Sequence, residues 1–114
     1  ANSQAAPAAP APAADASADA RKDEAFWKKR VASERDALER AKSFAEALQS
    51  RINALTTDFT NRDDPAQRAQ IGNDRQKALA ELDRVKKEIQ EHTKAITDIQ
   101  EEARKAGAPA DWVR

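Results

Sequence analysis

Single apolar residues recur at alternating steps of three and four along most of the chain, with charged residues filling the gaps. Trp27, Val31, Leu38, Ala41, Ala45, Leu48, Ile52, Leu55 and Phe59 keep this spacing, interrupted by Glu34. Side chains so spaced fall on one stripe of a helix, with Val31, Leu38, Ala45, Ile52 and Phe59 at heptad position a and Trp27, Glu34, Ala41, Leu48 and Leu55 at d. The pattern predicts one amphipathic helix over about residues 19–60.

The stretch TNRDDPAQ, residues 60–67, breaks the stripe. Asp64 suits an N-cap, Pro65 suits the first helical position, and Gln67 stands three residues after the cap, as a capping box requires. A turn over 61–64 and a second helix over about 65–106 follow. The second stripe runs Ile71, Ala78, Leu82, Val85, Ile89, His92, Ile96, Ile99, Ala103 and Ala106, with Arg75 as a polar a residue. Gly72 weakens its first turns, and Gly107 with Pro109 ends it. Helices of this length joined by so short a connection pack as antiparallel neighbours. The expected fold is therefore all-α, an antiparallel two-helix coiled-coil hairpin.

A hairpin brings the start of the first helix beside the end of the second. Phe26 and Trp27 lie at that start and Trp112 follows that end, in the closing segment RKAGAPADWVR, residues 104–114. The tail over 107–114 is expected to fold back so that Phe26, Trp27 and Trp112 clamp the open end. A single seam rich in alanine buries little area against a large ordering cost. Phe44 at g and Leu79 at e flank the seam and widen the apolar stripe. Two hairpins assembling through such flanks into a four-helix bundle, a homodimer, is one outcome; both residues flanking only their own seam is the other.

Composition changes the picture at the N-terminus and in the choice of partners. Residues 1–18 are almost all Ala, Pro, Ser and Asp, with Pro7, Pro10 and Pro12 opposing helix. They read as a disordered, partly polyproline-like tether. A start such as ANSQAAP, in a chain without methionine, fits a mature exported protein whose signal peptide has been removed, hence periplasmic or secreted. No apolar run reaches the roughly 20 residues of a membrane span. Twenty basic and twenty acidic residues cancel, which disfavours nucleic acid as a partner.

Candidate chemistry is sparse. The chain has no cysteine and only two glycines, Gly72 and Gly107, so thiol chemistry and phosphate-cradling glycine loops are excluded. Catalysis, cofactors and metal are not expected. His92, the only histidine, occupies a d position, and plausible antiparallel registers bring Glu34 within about a turn of it. A hydrogen-bonded Glu34–His92 pair that fixes the register explains both polar seam residues better than a metal ligand or catalytic base does. The e-position residues Lys28, Arg35 and Lys42, joined by Lys86, form a basic stripe. It could meet an acidic partner, but Glu24, Glu39 and Glu46 dilute it and no aromatic residues interleave with it.

The pieces EAFWKKR (24–30) and RKAGAPADWVR (104–114), bracketing a hairpin of charged heptads, resemble an uncharacterised group of exported bacterial helical-hairpin proteins with a Gly-Pro-Trp-Arg-like C-terminus. Here Ala110 and Asp111 separate Pro109 from Trp112, a looser variant. The resemblance implies export and a hairpin and carries no activity. The expectation is a non-enzymatic structural or adaptor protein of the bacterial envelope, acting by coiled-coil contact with a protein partner or itself. A periplasmic holdase and a weak polyanion or surface binder are the alternatives.

Overall fold

The structure, a computed structural model, describes residues 22–114. The expected tether over 1–18, and a helix start as early as 19, lie outside the described residues. Two long helices dominate: α1, Glu24–Asn61, and α2, Pro65–Lys105, followed by a short 3₁₀ turn, Ala110–Val113. The fold is an all-α helical hairpin.

Local chemistry sets each helix end. Asp23 Oδ1 accepts the Phe26 amide at 3.1 Å, an aspartate cap at the start of α1. Arg62, Asp63 and Asp64 form the connection. Asp64 Oδ2 accepts the Gln67 amide at 2.8 Å, and Pro65, which has no amide proton to satisfy, opens α2. Across this turn Arg68 donates from Nε to the Phe59 carbonyl at 3.2 Å, and its guanidinium lies 4.5 Å from the Phe59 ring centroid. A cation thus serves an orphan carbonyl at the C-terminal end of α1.

The chain divides into two compact units, and both helices contribute to each. The turn unit comprises residues 34–96. Ala41, Leu48 and Ile52 of α1 are buried there with Ala78, Leu82 and Val85 of α2, and Ala45, Leu55, Leu79 and Ile89 pack against them. Every one of these except Leu79 is a seam residue of the three-four pattern, which is why the heptad stripe and the core coincide. Val85 alone is fully buried among the large side chains, so this core is one residue thick. Polar contacts across it pair low-numbered α1 residues with high-numbered α2 residues, Glu34 with His92 and Thr56 with Arg75, which makes the helices antiparallel. Arg75, the polar a residue, reaches out of the seam and donates to Thr56 Oγ1 at 2.8 Å, while that hydroxyl donates to the Ile52 carbonyl.

The terminal unit holds residues 22–33 with 97–114. Trp27, Val31, Ile99, Ala103 and Val113 are its buried residues. Gly107 takes φ 81° and ends α2. Its amide donates to the Arg104 carbonyl at 3.1 Å and the Ala108 amide to the Ala103 carbonyl at 2.9 Å. These two bonds form a Schellman motif, which turns the chain back on the helix it leaves. Ala106, expected to close the α2 seam, lies just past the helix and is exposed.

Gly72 offers a first test. A Cβ built there would sit 3.5 Å from Phe59 Cε1, an ordinary van der Waals distance. Gly72→Ala is therefore expected to stabilise the hairpin by roughly 0.5–1 kcal/mol through reduced backbone entropy of the unfolded chain. A lower thermal midpoint would show that the Phe59 ring cannot accommodate the methyl group.

Candidate functional site

The polar pair in the seam forms directly. Glu34 Oε1 lies 2.7 Å from His92 Nδ1, and both side chains are about 31% exposed. A carboxylate only accepts, so Nδ1 carries the proton. His92 has no metal-binding companions: among the described residues no three of His, Cys, Asp and Glu converge as a metal would require. The geometry is that of a half-buried polar link at one level of a mostly apolar seam.

Such a link adds little stability and constrains which residues face each other. The double substitution Glu34→Leu with His92→Leu is expected to raise stability by about 1–2 kcal/mol, whereas His92→Leu alone leaves a half-buried carboxylate unpaired and costs about 1 kcal/mol. Chemical denaturation of the three proteins checks the order. A double variant less stable than the parent would show that the pair does more than hold register.

The three residues expected to clamp the open end, Phe26, Trp27 and Trp112, all belong to the terminal unit. Trp27 is buried, while Phe26 and Trp112 are half-buried. Phe26 and Trp27 meet edge to face, with centroids 5.1 Å apart and planes at 87°. The tail does return to α2, where Gln100 Nε2 donates to the Val113 carbonyl at 2.8 Å, but the side chain it buries is Val113, not Trp112.

Arg30, read from sequence only as part of the basic run at 28–30, organises the same unit through a partner the sequence did not reveal. Its guanidinium donates in bidentate fashion to Glu102 at 3.0 and 3.1 Å and lies 5.7 Å from the Phe26 centroid and 5.5 Å from that of Trp27. The hydrogen bonds from Arg30 hold the Glu102 carboxyl below the usual carboxylate range. A depressed folded-state value means that the pair's stabilisation is complete above the ordinary glutamate pKa and is lost as pH falls through the lower one. Following the Glu102 carboxyl by NMR should show this depression in the parent and an ordinary value in Arg30→Gln. Equal values in both would remove Arg30 as its cause.

No family model, curated protein or solved structure matches this chain. The residues themselves carry the functional reading.

The basic stripe is interleaved with acids. Lys28 pairs with Glu24, and Lys42 Nζ lies 3.8 Å from Glu39. Arg35 is half-buried rather than presented on the surface. Leu79 packs on the hairpin's own core, so for that residue the flanking role is intramolecular. Phe44 behaves otherwise. It is the exposed large hydrophobic residue of the described chain, at 44% exposure, because its neighbours Ala37 and Ala41 are too small to shelter a phenyl ring. Beside it lies a hollow of about 230 Å³ lined by Ala37, Arg40, Ala41, Phe44, Glu88 and His92. Glu88 and, one heptad back, Glu81 both pair with Arg84. This flank joins an apolar projection, a recess and a fixed set of charges, which equips it for contact with another protein surface.

Proposed function

We propose that the protein is a non-enzymatic structural or adaptor component of the bacterial envelope whose hairpin works by coiled-coil contact with other protein. The observation that carries this reading is the Phe44 flank. On helices whose remaining large apolar side chains face inward, it sets one phenyl ring beside a ready-made recess. Among the described residues no helix is long and apolar enough to cross a membrane. Envelope location rests on the composition of residues 1–18 and on the resemblance to exported hairpin proteins. Phe44 alone gives too little apolar surface to grip an unfolded client, which ranks a holdase lower.

The test is a photo-crosslinking amino acid placed at position 44 in cells, compared with one at Ser50 on the outer face of α1. Protein adducts specific to position 44 are the expected result. Equal labelling at both positions would dismiss the flank as a contact surface. The polyanion alternative has its own test, since neutralising phosphates makes affinity fall steeply with salt. With Lys28 and Lys42 already beside glutamates, any association is expected to vary little between 50 and 200 mM salt.

A further inference from the structure

We infer that Arg75 and the hollow it lines bind a small carboxylate carried on an apolar body. The site belongs to the turn unit, about 18 Å along α1 from Phe44, and does not depend on the adaptor reading.

Arg75 is a charge without a counter-charge. It stands at a seam position that an apolar residue would fill to better effect, and it is half-buried, where an uncompensated cation is costly. Its Nε donates to Thr56 Oγ1 at 2.8 Å, and among the described residues no carboxylate pairs with the guanidinium. The adjacent acid, Asp74, accepts from Gln70 instead. The Nε bond pins the guanidinium plane and leaves Nη1 and Nη2 as a fork of parallel N–H donors. That fork matches both oxygens of a carboxylate.

With Arg75, Thr56, Phe59, Thr60, Gly72 and Gln76 line a hollow of about 220 Å³, larger than the roughly 150 Å³ cavity that holds a benzene ring. Gly72 keeps the Phe59 ring uncovered on this side, since the nearest atom to a Cβ built there is Phe59 Cε1 at 3.5 Å. A phenyl wall and bare backbone suit an apolar body. The polar surroundings favour carboxylate over phosphate. The Thr56 hydroxyl donates to the Ile52 carbonyl at 2.8 Å and the Thr60 hydroxyl to the Thr56 carbonyl at 3.0 Å, so neither has a proton to give. The amides of 72–76 lie inside α2 and are bonded within it. One planar fork, with the exposed Gln76 amide at the rim, serves two coplanar oxygens and lacks the converging donors of a tetrahedral anion site.

The test titrates the full chain with sodium benzoate at constant ionic strength and follows it by NMR. Amide shifts at 56–60 and 72–76, together with the Arg75 Nε–H signal, should saturate with a Kd of about a millimolar. Sodium acetate, which has the carboxylate without the ring, should bind about tenfold more weakly, and inorganic phosphate no better than acetate. Arg75→Lys keeps the charge and loses the fork, so helicity should be unchanged and benzoate affinity should fall by about tenfold or more. Gly72→Ala leaves Arg75 in place and sets a methyl group against the Phe59 ring. It should weaken benzoate severalfold and leave acetate unaffected. Shifts that grow linearly without saturating overturn the inference, as do an Arg75→Lys variant that binds benzoate like the parent and phosphate binding as tight as that of benzoate. Equal affinity for acetate and benzoate, or a Gly72→Ala variant indifferent to the ring, overturns the apolar body.

Discussion

Replacing Trp27 with alanine is expected to cost about 3–5 kcal/mol, the largest loss expected from an alanine substitution among the described residues of the terminal unit. Trp27 is 3% exposed, and its buried neighbours Val31, Ile99, Ala103 and Val113 are all smaller, so the indole supplies much of the apolar area that the unit encloses. Its removal also withdraws the edge-to-face partner of Phe26 and one of the two rings beneath the Arg30 guanidinium. Both losses act on the same face and add to the cavity. The indole carries one liability: Nε1 is buried and finds no acceptor among the described residues. An unpaired buried donor costs about 1–3 kcal/mol, so Trp27→Phe, which discards that donor along with some area, is expected to be far milder than alanine. Denaturant midpoints should rank the parent near the phenylalanine variant and alanine well below both. Native-state hydrogen exchange should show amides of 24–33 and 97–105 losing protection before those around Leu48 and Leu82, because the cavity lies in the terminal unit. A cost under about 1 kcal/mol for alanine would mean that the unit does not depend on its indole.

What the sequence made legible was whatever depends on periodicity or on a single residue's backbone preference. The three-four spacing of Val31, Leu48, Ile52, Leu82 and Val85 maps directly onto burial because a helix converts spacing into a face. Asp64 with Pro65, and Gly107 before Pro109, act within a few residues, so their effect needs no knowledge of the rest of the chain. The contacts that escaped notice require the level of one helix against the other. Arg30 and Glu102 are 72 residues apart and occupy flanking g positions, and nothing in either local sequence selects the pair. Even the Glu34–His92 contact would not have supplied it, since long side chains meet across a turn's difference in level: Glu34 reaches His92, whereas Thr56 meets Arg75 at a level about five residues different. Phe44 and Leu79 show the same limit. Both flank the seam, yet one is sheltered and the other exposed, because shelter depends on the size of neighbours across and along the groove.

The adaptor reading needs a hairpin that keeps its form under load, which places weight on how its ends are closed. The turn is fixed by covalent connection and by Arg68 over Phe59. The open end depends on side chains alone: Trp27 and Arg30 from α1, and whatever the tail returns. A hairpin that frays there would expose Trp27, Val31, Ile99 and Ala103, the apolar side chains that the terminal unit buries.

Val113→Asp is expected to cost roughly 2–4 kcal/mol, and Trp112→Ala under about 1 kcal/mol, although the second removes far more atoms. The contrast follows from the path of the tail. The Schellman bonds at Gly107 and Ala108 reverse the chain, the Trp112 amide donates to the Pro109 carbonyl at 3.1 Å, and the resulting 3₁₀ turn directs Val113 inward. Val113 is 4% exposed, and its carbonyl is held by Gln100. A carboxylate at that position must be desolvated without a cation dedicated to it, since Arg104 is engaged with Glu101 and Arg114 with Asp111. The variant therefore expels the tail, and with it the cover over the end of the seam. Trp112 keeps part of its ring in water, so its loss removes peripheral contact. Thermal melts of the two variants decide between the residues. If Trp112→Ala proves the more damaging, the indole closes the hairpin and the inward placement of Val113 is wrong.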